Sequence, residues 1–272
     1  MEECIEFGDP TLRAVLHTPE TPSGTGIILL HGWTGYRTGP HGMFVKAARE
    51  LAASGCVALR LDLRGRGNSD GQKFATDIDM KIEDTLCAMR VLRERCGLRS
   101  LYLLGLCSGG NVALGAASLD KTVAGLVLWS TPLFAPYKTK RQEAKRKVDV
   151  LRDYAAKLCR RETYSKLFRG QLHIGVILGR LRKKKPPRDL RDSRRDVMKE
   201  LRGYRGRVLL IYGTKDDESE GAPEFYREFF TREGSPPQVH FVEGANHSFY
   251  SLAWEREVIQ RTREWLVAGG RA

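Results

Sequence analysis

The most constraining stretch in this 272-residue chain is Gly105-Leu106-Cys107-Ser108-Gly109-Gly110. It follows the apolar run Leu101 to Leu104 and precedes Asn111 to Ser118, a small-residue segment that reads as a helix, so the context is strand, tight turn, helix. So sharp a turn leaves little room beside its central residue, and Gly105 and Gly109 flank Cys107 symmetrically. Ser108 has Leu106 and Gly110 at the corresponding places, which suits the turn less well. A cysteine held there is either a small apolar filler or a thiol presented for chemistry, and the rest of the chain decides between the two.

Strand and helix patterns alternate around this turn. Cys4 to Phe7 and Leu12 to His17 open the chain as an antiparallel ribbon about Gly8-Asp9-Pro10. Ile27 to Leu30 is a continuous apolar run, as expected of a strand covered on both faces, and it ends in His31-Gly32-Trp33-Thr34-Gly35. A helix over Met43 to Ser54 is followed by a buried strand over Val57 to Leu63, which runs into Arg64-Gly65-Arg66-Gly67-Asn68-Ser69-Asp70-Gly71. Helical spacing returns over Ile78 to Cys96, and a strand is expected over Val123 to Trp129. Val208 to Tyr212, Ala222 to Thr231, Val239 to Val242 and Leu252 to Val267 complete the alternation. The pattern predicts an α/β fold, a mostly parallel central sheet flanked by helices, with its ligand site above the carboxyl ends of the strands.

One interval breaks the pattern. Leu133 to Tyr204 carries no clear buried strand, and a structureless loop of that length is improbable inside a compact domain, so it reads as a helical insertion. The expected organisation is 1–132 and 205–272 as two parts of one core, with 133–204 inserted. Charge follows the same division. The chain carries 46 Lys and Arg against 33 Asp and Glu, a net +13, but Tyr137 to Arg207 alone holds 25 against 8, a local +17, leaving −4 elsewhere. The basic character therefore belongs to the insertion rather than to the core. No nucleic-acid motif or stacking-aromatic pattern accompanies it, which argues against a nucleic-acid partner. The six cysteines (4, 56, 87, 96, 107 and 159) form no C-x-x-C pair or metal-ligand spacing, so reduced thiols are expected, with no disulfide framework and no metal. The acidic start, Met1-Glu2-Glu3-Cys4, and the lack of a long apolar stretch lead to the expectation of a cytoplasmic protein.

Five segments then carry a family resemblance. His31-Gly32-Trp33 matches an H-G-x loop after the third strand, and Asp62 to Ser69 matches D-x-R-G-x-G-x-S. Gly105 to Gly110 matches a nucleophile elbow, Tyr212 to Asp216 a G-x-x-D acid loop, and Gly244 to Phe249 a G-x-x-H histidine loop. In that order at strand ends they resemble the α/β-hydrolase fold superfamily, of the capped serine aminopeptidase and monoacylglycerol lipase-like type. Cysteine stands where serine is usual, as in dienelactone hydrolases and polyhydroxyalkanoate synthases.

The resemblance implies an esterase or thioesterase that needs no cofactor, acting on a small-molecule acyl substrate through a Cys107, His247 and Asp216 triad. Cys107 would attack the carbonyl carbon as thiolate, a form favoured by a helix N-terminus and an adjacent imidazole. His247 would serve as base and acid, oriented by Asp216, with Asp217 the rival if the loop register differs. The backbone N–H groups of Trp33 and Ser108 would form the oxyanion hole. His31 is expected to be a structural hydrogen-bonder, and Asp62, Arg64 and Ser69 to brace a turn. The insertion would then be a cap. Its Lys183-Lys184-Lys185-Pro186-Pro187 run is either a solvated loop or part of a surface that meets an anionic lipid or phosphate-bearing substrate, while Leu172, Ile174, Ile177 and Leu178 roof an acyl pocket. Two other functions compete: acyl transfer by the same triad, and a non-catalytic hydrolase-like module docking on anionic membranes. The presence of the histidine, the acid and both elbow glycines argues against the second.

Overall fold

A computed structural model describes residues 1–72, 75–137, 190 and 192–269. Its centre is an eight-stranded sheet: β1 (Glu2–Phe7), β2 (Leu12–His17), β3 (Thr25–Leu30), β4 (Val57–Asp62), β5 (Ser100–Leu106), β6 (Gly125–Trp129), β7 (Arg207–Gly213) and β8 (Gln238–Val242). The strand order is β1-β2-β4-β3-β5-β6-β7-β8. The opening ribbon pairs antiparallel and β2 joins β4 antiparallel, while every pair from β4 through β8 is parallel. Parallel strands need crossover helices, and these cover both faces of the sheet. That is why β3, β4 and β6 are buried along their whole length and read as unbroken apolar runs rather than alternating ones.

The helices are α1 (Met43–Ala53), α2 (Ile78–Cys96), α3 (Ser108–Leu119), α4 (Val197–Glu200), α5 (Ala222–Arg232) and α6 (Leu252–Gly269). Helix α2 begins at Asp77, whose carboxylate accepts the Met80 N–H, and ends at Gly97 in the left-handed conformation. Helix α3 starts directly after Cys107, three residues earlier than its apolar pattern announced, because Ser108, Gly109 and Gly110 are helical. It is buried along almost all its length, and Gly115 lets α2 approach: a Cβ there would overlap the Ile82 side chain.

The chain divides into one unit made of Met1–Phe134 and Leu190–Ala272 and a second of Ala135–Asp189. Most of the 133–204 insertion falls in the second unit and, from 138 to 189, outside the described residues, as do Leu172, Ile174, Ile177, Leu178 and Lys183 to Lys185. Its last stretch belongs to the first unit. There α4 packs on α3, and Val197, Met198, Leu201 and Tyr204 are buried. Among the described residues no helix is long and apolar enough to cross a membrane.

Candidate active site

The carboxyl ends of β3, β5, β6, β7 and β8 meet in one region, and the loops leaving them hold the singled-out residues. After β5, Cys107 takes φ 56° and ψ −131°, a conformation costing a non-glycine residue about 1–3 kcal/mol. The surroundings hold it there. Its N–H donates to the Trp129 carbonyl at 2.9 Å and its carbonyl accepts from the Gly110 N–H at 2.9 Å. Three glycines make the turn possible by close backbone approach. A Cβ on Gly105 would overlap the backbone of Gly109 and Gly110, one on Gly109 the Leu30 carbonyl, and one on Gly110 the Thr131 side chain. The elbow is thereby pressed against the ends of β3 and β6.

The loop after β3 passes beside the thiol. A Cβ on Gly32 would lie 3.3 Å from Cys107 Cβ and 3.7 Å from its Sγ. The Gly32 carbonyl accepts from the Gly35 N–H at 3.1 Å and from His31 Nδ1 at 2.8 Å, while His31 Nε2 accepts from the Leu63 N–H at 3.2 Å. Burial drives the His31 pKa down to about 4, against a smaller upward push from its bond to Gly32, so the ring is neutral and keeps one donor and one acceptor for these two tasks. Because a trans peptide points its C=O and N–H in opposite directions, fixing the Gly32 carbonyl also fixes the Trp33 N–H. Among the described residues neither that N–H nor the Ser108 N–H, the first of α3, donates to another group. His31 is thus structural.

On the other side, His247 Nδ1 donates to Asp216 Oδ1 at 2.8 Å, with the Asp216 side chain only 2% exposed. The two loops are stitched together. Thr214 N–H donates to the Val242 carbonyl, Lys215 N–H to the Ala245 carbonyl and Gly244 N–H to Thr214 Oγ1. Gly213 permits the approach, since a Cβ there would overlap the Ala245 backbone. Asp216 also accepts from the N–H groups of Glu218 and Ser219, both at 3.2 Å, so its carboxylate caps the short turn Asp217–Ser219. Burial alone would raise the Asp216 carboxyl, but the His247 bond and charge outweigh it, with help from Ser130 and Ser219, and hold it below the usual value.

Burial likewise opposes charge on His247, yet Asp216 on one side and the Cys107 thiol on the other raise its pKa well above the ordinary imidazole value. Nε2 faces Cys107 without forming a hydrogen bond of good geometry. Asp217, the alternative acid, is exposed, and Asp216 is the one that meets the histidine.

Several site residues escaped the sequence reading. Ser219 Oγ donates to the Ser130 carbonyl at 3.0 Å and lies 3.4 Å from His247 Nδ1. Ser130 itself is fully buried at φ 45°, its hydroxyl near Asp216 without a well-formed bond. Glu218 reaches within 3.8 Å of His247 Nε2 from an exposed position. Lys81, 2% exposed, lays its ammonium 3.8 Å from the centre of the Trp33 ring. The signal for it was present: Ile78, Lys81, Ile82 and Thr85 fall at i, i+3, i+4 and i+7, a buried stripe interrupted by a lysine.

Asp62, Arg64 and Ser69 brace loops. Asp62 accepts from the N–H groups of Arg37 at 2.6 Å and Asn68 at 3.0 Å and pairs with the Arg37 guanidinium. Arg64 pairs with Asp84 at 2.6 Å, and Ser69 Oγ donates to the Asp62 carbonyl at 2.6 Å. Among the described residues no three His, Cys, Asp or Glu side chains gather as metal ligands.

A strand-to-helix elbow after β5, an acid after β7 and a histidine after β8 agree with the comparison by sequence, in which a model of the alpha/beta hydrolase family matches residues 27–261. The chain belongs to that family. Among other α/β hydrolases, the AB hydrolase superfamily protein YisY of Bacillus subtilis (strain 168) is 26% identical over 270 residues, covering 88% of this chain and 91% of YisY. The esterase PF2001 of Pyrococcus furiosus superposes with a TM-score of 0.68 at 20% identity, over 98% of this chain and 90% of that one. The monoacylglycerol lipase of Paleococcus ferrophilus does so with a TM-score of 0.61 at 21% identity, over 98% and 99%. At such identities the likeness is one of fold, the eight-stranded α/β-hydrolase sheet with its flanking helices.

Proposed function

We propose that this α/β hydrolase cleaves a carboxylic ester or thioester through a covalent acyl-cysteine. The observation that carries the reading is the line Asp216, His247, Cys107, with His247 bonded to Asp216 through Nδ1 and Cys107 on its other side, at the mouth of a strained elbow. His247 Nε2 takes the thiol proton and the sulfur attacks the carbonyl carbon, so the carbonyl oxygen becomes an oxyanion. The N–H groups of Trp33 and Ser108 receive it. The C–O or C–S bond to the leaving group then breaks as His247 returns its proton to that group, leaving an acyl-cysteine. Water, deprotonated by His247, attacks the thioester carbon; the carboxylic acid departs and the thiol is restored. Asp216 stays ionised throughout and holds the Nδ1 proton.

In the same reading 133–204 is a cap, and Leu172, Ile174, Ile177 and Leu178 cover the acyl chain while its cations favour anionic substrates or surfaces. The test is a panel of p-nitrophenyl esters and acyl thioesters of graded length, run on the wild type and Cys107→Ala. Turnover in the wild type and its loss in the variant are expected; turnover retained in Cys107→Ala would rule the reading out.

A further inference from the structure

Two cations sit against Trp33, and no described carboxylate pairs with either. Lys81 is 2% exposed with its ammonium 3.8 Å from the ring centre, and Arg66, 8% exposed, has its guanidinium carbon 5.8 Å from it. Among the described residues neither side chain makes a hydrogen bond or ion pair. The carboxylates around them are committed elsewhere. Asp84, whose charge acts on Lys81, accepts from the Arg64 N–H at 2.7 Å and its Nε at 2.6 Å, and Asp62 is held by Arg37 and Asn68. His31, the remaining titratable group within reach of both, is neutral. So deep a position strips the ammonium of much of its hydration, and a ring face recovers only about 0.5–2 kcal/mol of that loss. The strain shows in Lys81 itself: burial first, then the Arg66 charge, lower its pKa to about 7, against a weaker opposing pull from Asp84. An anion seated between the two would relieve both.

The position of the pair gives it a meaning. Trp33 follows Gly32, which faces the Cys107 thiol, so the cations lie beside the loop proposed to hold the oxyanion. We propose that Lys81 and Arg66 form an anion subsite beside Trp33 that takes a carboxylate carried by the acyl part of the substrate. This deepens the esterase reading and, for catalysis, rests on it. The protein would then select mono-esters or mono-thioesters of dicarboxylic acids over those of simple fatty acids, because the far carboxylate would pair with two cations that have no other hydrogen-bond or ion-pair partner among the described residues.

The test compares p-nitrophenyl hydrogen succinate, glutarate and adipate with the neutral p-nitrophenyl butyrate, pentanoate and hexanoate at constant ionic strength. For at least one chain length the wild type is expected to show a KM about ten-fold lower for the charged ester. In Lys81→Met and in Arg66→Gln the ratio of kcat/KM, charged over neutral, should fall at least ten-fold. A purely structural role would lower both esters together and leave the ratio unchanged, which overturns the proposal, as does a wild-type preference for neutral esters at every length. Binding is read separately by thermal shift with free glutarate, acetate and inorganic phosphate. Glutarate should raise the Tm of the wild type and not of Lys81→Met. A shift with phosphate alone would overturn the carboxylate assignment. If glutarate stabilises the wild type through Lys81 but no ester turns over, the subsite stands and the esterase reading fails. If esters turn over with no charge preference and no glutarate shift, the subsite fails and the esterase reading stands.

Discussion

His247 joins two groups that pull in one direction, and its variants should separate their shares. In the proposed mechanism, removing the imidazole by His247→Ala takes away the thiol's base and the leaving group's acid, so kcat is expected to fall about 10²- to 10⁴-fold. Asp216→Ala should cost less, since a thiol gives up its proton more readily than a hydroxyl and needs weaker help; steady-state kinetics on folded variants would measure both, and equal losses would contradict that ordering. Lys81 supports a stability prediction with a definite sign. Its pKa falls from 10.5 in the open chain to about 7 in the fold. Between those values the unfolded chain binds a proton the folded one lacks, so stability rises with pH there, and below about pH 7 the folded state carries the full burden of the buried charge. Lys81→Met should therefore raise the Tm at pH 6 by a few degrees, about 1 kcal/mol or more, with the gain shrinking toward pH 10. Thermal melts across that range check it; a loss of Tm at pH 6 would show that the ammonium has a stabilising partner.

At the level of elements, the strand-turn-helix after β5 depends on backbone meeting backbone. Gly109→Ala would push a methyl into the Leu30 carbonyl, so β3 and α3 must separate. The expected cost is about 1–3 kcal/mol or more, read as a lower denaturant midpoint, together with lost turnover because the loop carrying Trp33 moves with β3. A variant as stable and active as the wild type would mean the approach is looser than described. Much of this level was legible beforehand. The glycines around Cys107 announced the elbow, and the unbroken apolar runs announced strands buried on both faces. Asp216 and His247 were legible as a pair only through the family motifs, since 31 residues separate them and the stitching of their loops is made by backbone groups that sequence does not advertise. Ser130 and Ser219 were not legible, because what brings them to Asp216 is a positive φ and a three-residue turn. Residues 192–204 read as insertion because α4 is a single turn, too short to show a period, although its apolar residues are core.

Along the whole chain charge is divided: Tyr137 to Arg207 carries +17 and the remainder −4, and Cys107, Asp216 and His247 belong to that remainder. If those cations attract an anionic substrate or lipid surface, KM should rise modestly with salt while kcat holds, since charges are screened over about 8 Å at physiological ionic strength. Lys183, Lys184 and Lys185 all changed to Ala should flatten that dependence; a KM indifferent to both salt and the triple change would return the segment to a solvated surface. The central claim rests on which side chain becomes acylated. Cys4 is exposed and will react with general thiol reagents, whereas burial pushes the Cys56 thiol up to about 12, so the decisive label is substrate itself rather than an alkylating agent. The most direct measurement is peptide mass spectrometry of enzyme quenched in acid during turnover of a p-nitrophenyl ester. An acyl group on Cys107, absent in Cys107→Ala, is the predicted result; an acyl group on Ser108, or none at either residue while ester is being consumed, would contradict it.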